Sequence, residues 1–192
     1  MLFFSGGCTL KAYQIAGVSF CLFLIACGDG RLREHPFLAM EKLASEGDHE
    51  AQEKVALSYL EGKGVSQSFT LAKKWFDACS QAKKPRCLYE LGRLHEEGRG
   101  GPISTTKAGQ LYKEGVLAGS PRAMYRLGQF HRLGDGVPKD LARGYAWFAL
   151  SAALGFKDAK DSLKNMEEEC SEVAIGKGKK LADMWRKNGP EF

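Results

Sequence analysis

Charge is almost missing from the first 27 residues of this 192-residue chain, where only Lys11 carries one. The apolar part of that segment, Ala12 to Cys27, falls short of the roughly 20 residues that a membrane-spanning helix needs. The mild positive balance of the chain gives no ground to expect nucleic acid as a partner, which would want a basic stripe with aromatics between its charges. The net charge of +5 is modest and fits solubility with a weak attraction to anions. Acidic residues form no isolated pair in an apolar setting, which argues against acid–base catalysis. Ser-x-x-Lys occurs at Ser80–Lys83 and Ser104–Lys107, but the Ser-Asp-Asn and Lys-Thr-Gly motifs of serine β-lactamases are missing. What remains is ordinary for one medium globular domain: 44% hydrophobic and 27% charged residues, a composition that does not suit disorder.

A basic residue, a short apolar stretch and small residues before a cysteine read as a secretory signal rather than a span. The ending Leu24-Ile25-Ala26-Cys27 resembles the bacterial lipoprotein box. That resemblance implies that Cys27 is diacylated, becomes the mature N-terminus and anchors the chain to a membrane through lipid, facing the periplasm. Gly28 follows the cysteine, where Asp would favour inner-membrane retention, so the outer membrane is the expected address. Residues 1–27 are then a signal and 28–36 a short polar tether.

Beyond the tether the chain repeats every 36 residues: Ala51, Cys87, Ala123 and Ala159 are evenly spaced, as are Gly62, Gly98 and Gly134. A period of this size means a stack of helix-turn-helix units, none able to bury its apolar face alone. In each first helix, small or apolar residues recur at offsets of four, five and eight, on one helical face. They are Ala51, Val55, Ala56 and Tyr59; Cys87, Leu91, Gly92 and His95; and Ala123, Leu127, Gly128 and His131. The small residue after Val55, Leu91 or Leu127 admits a neighbouring helix. Gly-x-Gly then ends the helix at Gly62 and Gly64, Gly98 and Gly100, and Gly134 and Gly136. Ser68, Ser104 and Asp140 are predicted N-caps of the second helices. Their apolar faces carry Ala72, Trp75 and Phe76; Ala108, Leu111 and Tyr112; and Gly144, Trp147 and Phe148. Pro85 and Pro121 open the next first helices, where a missing N–H costs little.

These residues resemble the Sel1-like repeat, a longer relative of the tetratricopeptide repeat, over about residues 49–159. The third unit matches best, through Ala123, Leu127-Gly128, Gly134, Gly136-Val137, Asp140, Trp147 and Gly155. His95 and His131 stand where the pattern has Tyr, Leu111 where it has Trp, and Gly101 where it has Val. The resemblance implies an all-α fold, an α/α solenoid or superhelix of helix-turn-helix repeats, with units at 51–86, 87–122 and 123–158. Residues 37–50 read as an N-terminal capping helix. Residues 159–192 read as C-terminal capping helices, with a terminal helix over Lys179 to Lys187.

Cys79 and Cys87 lie eight residues apart, across the turn from a second helix to the next first helix, within reach of disulfide geometry. Their spacing looks like that of the cysteine-rich branch of this family, in which the same two positions are bridged. An oxidising compartment would preserve such a bond. Two small buried thiols also fit, because Ala and Gly hold the equivalent positions. Cys170 has no evident partner. His95 and His131 fall on separate helices with no Asp, Glu or Cys converging on them. They fill space where Tyr is usual, and no metal or other cofactor is expected.

In stacks of this kind the first helices line the concave face. The stripe opposite their packing face reads Glu50, Glu53, Leu57, Leu60; then Arg86, Tyr89, Arg93, Glu96; then Arg122, Tyr125, Gln129, Arg132. Tyr and Arg are enriched at binding hot spots, and an extended acidic peptide or an anionic glycan strand would suit this groove. The expected function is a membrane-tethered scaffold for protein–protein interaction in the bacterial cell envelope. The alternatives are an enzyme acting on a β-lactam or cell-wall substrate, and a secreted effector that binds a host protein.

Overall fold

The computed structural model describes residues 36–192 and three short strands before them, β1 (Thr9–Lys11), β2 (Leu24–Ala26) and β3 (Leu32–Arg33). The strands pair antiparallel in the order β1-β2-β3, with Leu10 opposite Ile25 and Ile25 opposite Arg33. Cys27 and Gly28, with most of the predicted signal and tether, lie outside the described residues. From Pro36 onward every regular element is a helix.

The first helices are α2 (His49–Glu61), α4 (Pro85–Glu97) and α6 (Pro121–Leu133), and the second helices are α3 (Phe69–Ser80), α5 (Thr105–Leu117) and α7 (Leu141–Ala153). Before them stands α1 (Pro36–Ser45), and after them α8 (Lys157–Glu169) and α9 (Glu172–Asn188). This is the expected all-α stack of helical hairpins. Each first helix begins two residues before the predicted unit boundary. Asp48 and Ser120 cap α2 and α6 from outside, and Pro85 and Pro121 occupy the first turns. The predicted capping helix over 37–50 is therefore two pieces: α1 ends at Ser45, Gly47 turns at φ 99°, and Asp48 already belongs to α2.

The turn inside each unit is built the same way three times. Gly62, Gly98 and Gly134 close their helices in the left-handed region, at φ 72°, 68° and 80°. The cap residue's own N–H then donates back to the first helix: Ser68 to the Tyr59 carbonyl (2.9 Å), Ser104 to His95 (2.8 Å) and Asp140 to His131 (2.8 Å). The cap side chains accept from the Leu71, Lys107 and Arg143 N–H groups, each cap stabilising its helix by about 1 kcal/mol.

Packing within a unit follows from the small residue on the first helix. A Cβ on Gly92 would lie 2.6 Å from the Tyr112 ring, and one on Gly128 2.6 Å from the Phe148 ring. Phe76, Tyr112 and Phe148 are all fully buried. Between the first two units a disulfide joins Cys79 of α3 to Cys87 of α4, with Cα atoms 6.0 Å apart and both residues buried. On the chain-entropy model so short a loop contributes about 2–3 kcal/mol.

The stack stops after α8. Lys164 holds the place of Ala56, Gly92 and Gly128 and is exposed, so no ring can settle there. The last helix packs instead on α7, where Trp185 meets Trp147 at 4.4 Å between ring centroids. It runs from Glu172 rather than from the predicted Lys179, because Ser171 caps it by accepting from the Ala174 N–H. Gly178 sits inside this helix and lets it approach α7, since a Cβ there would be 2.7 Å from the Tyr145 Cβ. Among the described residues no helix is long and apolar enough to cross a membrane.

Candidate protein-interaction face

The predicted stripe is carried by α4 and α6, which lie side by side. Arg86 and Arg122 open the two helices one unit apart, and their side chains are 49% and 51% exposed. Arg122 reaches back to α4, with its guanidinium 5.7 Å from the Tyr89 ring centroid and 3.7 Å from the Glu90 carboxylate. Arg93 meets the same carboxylate at 3.0 Å and Glu97 at 3.9 Å, and Arg99 holds Glu97 at 2.9 Å. In the same manner Arg86 and Lys84 share Glu53 of α2, at 3.9 and 3.5 Å. The exposed pairs among them, such as Arg99 with Glu97, contribute little to stability; what they do is orient long side chains over the helix face.

Glu90, which the stripe left out, sits at the centre of this cluster and is 5% exposed. Burial pushes its carboxyl above the ordinary range even though Arg93, Arg122 and Arg86 pull the other way. Burial, and then the Glu90 charge, likewise raise the Tyr89 hydroxyl. The Tyr89 ring leans on Tyr112 at 6.0 Å, so its base is fixed in the core.

The other half of the stripe is turned to a different use. The Tyr125 ring packs against Phe148 and Phe156, at 5.3 and 5.2 Å, and its hydroxyl accepts from Gln129 Nε2 at 3.0 Å. Arg126 donates to Gln129 and, through Nε at 3.3 Å, to Glu96. Glu96 also accepts from the Tyr112 hydroxyl at 2.7 Å. Tyr125, Gln129 and Glu96 are thus braces within the solenoid, while Arg132 faces Glu169 at the end of α8, 3.8 Å away. Arg126 was also missed by the stripe. Both missed residues share one unit position with Lys54, so a charge just before each packing Val or Leu was the available signal.

The remaining candidates have structural roles. Ser80 donates to the Asp77 carbonyl at 2.7 Å, and Ser104 caps α5. Among the described residues no group of three His, Cys, Asp or Glu could hold a metal ion. Cys170 is a half-buried free thiol, beside a cleft of 370 Å³ that Glu167, Glu172, Ile175 and Lys179 also line. A neighbouring cleft of 500 Å³ lies among α7, α8 and α9, with Ala149, Leu163, Ala182 and Arg186 in its walls.

Stacked helical hairpins in a 36-residue register define an α/α solenoid repeat protein. The Sel1 repeat matches residues 49–78, 85–120 and 121–156, more than half of the chain, and the first two residues of α2, α4 and α6 open each match. The chain belongs to the Sel1 repeat family. It is similar to the Sel1 repeat protein of Oxalobacter formigenes, at 31% identity and a TM-score of 0.60, over 67% of this chain and 96% of that one. It is also similar to c5321, a protective antigen of uropathogenic Escherichia coli strains, at 25% identity and a TM-score of 0.67. That match covers 81% of this chain but 35% of c5321. The Helicobacter pylori cysteine rich protein B shares the fold, with a TM-score of 0.55 at 19% identity, over 67% of this chain and 98% of that one. No curated protein matches significantly.

Proposed function

We propose that this chain is a non-catalytic scaffold of the bacterial cell envelope, lipid-anchored at Cys27, that binds a protein partner through the face shared by α4 and α6. The cluster around Tyr89 carries this reading. Lys84, Arg86, Arg93, Arg99 and Arg122 stand against Glu53, Glu90 and Glu97, five cations to three carboxylates. The surplus of two positive charges, set around a tyrosine anchored in the core, favours an acidic segment of the partner. The Cys79–Cys87 disulfide accords with an oxidising compartment. The description of c5321 as a protective antigen accords with a location that an immune system meets.

The test places a photo-crosslinking side chain at Arg86, Tyr89 or Arg122, and separately at Lys74 or Asp183 on other surfaces. One discrete crosslinked partner is expected from the first three positions and none from the last two. Joint replacement Arg86→Ser and Arg122→Ser should then weaken binding to that partner about tenfold, and added salt should do the same. Equal crosslinking from all positions, or none from any, removes the site.

A further inference from the structure

Tyr59, His95 and His131 hold one place in successive first helices, and each gives its carbonyl to the cap of the following second helix. Their rings do not share a fate. The Tyr59 hydroxyl donates to Glu41 of α1 at 2.9 Å, which ties the first unit to the helix before it. His95 is 6% exposed, and neither of its ring nitrogens finds a partner. His131 is half-buried, with Nδ1 unpartnered and a hydrogen bond to the Pro138 backbone. The charged groups that bear on His95 are Lys73 and Asp77 of α3 and Lys107 of α5. Those that bear on His131 are Arg143 of α7, its cap Asp140, and Lys113 of α5. In both places cations outnumber carboxylates two to one. A neutral imidazole can sit there. A second proton would put an unpaired charge into a site that offers it no acceptor.

We infer that His95 and His131 form an acid-sensitive joint: protonation of the two rings loosens the second and third units, while the first unit, held by Tyr59, stays closed. This stands whether or not the α4–α6 face binds a partner. Burial first, and then the neighbouring cations, hold both imidazoles below their ordinary value of 6.5. The folded chain therefore binds fewer protons than the unfolded one. Its stability is complete above about pH 6.5 and is lost progressively as the pH falls below that.

The full chain should be unfolded thermally at pH 7.5 and pH 5.5, alongside a His95→Tyr/His131→Tyr variant that copies the first unit. A His95→Gln/His131→Gln variant serves as a second uncharged pair should the larger rings not fit. The unaltered chain should lose about 4 °C in Tm between the two conditions, and both variants about 1 °C or less. Hydrogen exchange, corrected for its intrinsic pH dependence, should show the acid loss of protection in α4 to α7 and not in α2. His49, on the surface and bonded to Gln52, is present in every variant. An equal fall in Tm in the variants, no fall in the unaltered chain, or a loss of protection that includes α2 would each overturn the inference.

Discussion

At Gly128 the missing methyl group decides how near two helices can come. The Phe148 ring lies where that methyl would be, and Phe148 is fully enclosed, so it cannot step aside. Gly128→Ala should therefore cost about 1–3 kcal/mol, read as a lower urea midpoint with the helical spectrum unchanged. Gly176→Ala is the matching control. Nothing lies within 4 Å of that Cβ, and its helical backbone should gain about 1 kcal/mol. The small residue beside each packing Val or Leu was legible in the sequence because it recurs. Glu90 was not legible as a buried carboxylate, since one of the two guanidiniums paired with it, that of Arg122, stands on the first helix of the next unit. Periodicity reports which face a residue occupies; it does not report what an adjacent unit lays over it.

Helix ends announced themselves wherever a cap and a glycine recurred, which is why α3, α5 and α7 begin where Ser68, Ser104 and Asp140 place them. The last helix had no copy to guide it. Its start was read seven residues late, and its seat on α7 rather than α8 depends on the Trp147–Trp185 contact. Trp185→Ala should uncover the buried Trp147 indole. The expected loss is about 3–5 kcal/mol, with a red shift of the remaining tryptophan emission. Trp75 occupies the same unit position on α3 but is only half-buried, under Lys74. Trp75→Ala should cost clearly less in the same denaturation experiment.

For the whole molecule, the repeat length alone sufficed to read an all-α stack, and the residues quoted for the Sel1 pattern sufficed to read its family. The proposed location rests on Cys27, outside the described residues, and is testable without reference to the fold. In a bacterial host the unaltered chain should pellet with membranes, its mature mass including acyl groups, and Cys27→Ala should move it to the soluble fraction. Retention of Cys27→Ala in the pellet would remove the lipid anchor from this reading. Arg86 with Glu53, Arg122 with Glu90 and Arg126 with Glu96 each join side chains that belong to different units. The three hairpins, alike as their backbones are, are consequently not interchangeable bricks. Excising the middle one would set Arg122 against Glu53 in the place of Arg86, but would leave Arg126 facing Leu60 where it now meets Glu96. Such rearrangements should be selected against even where every helix still folds.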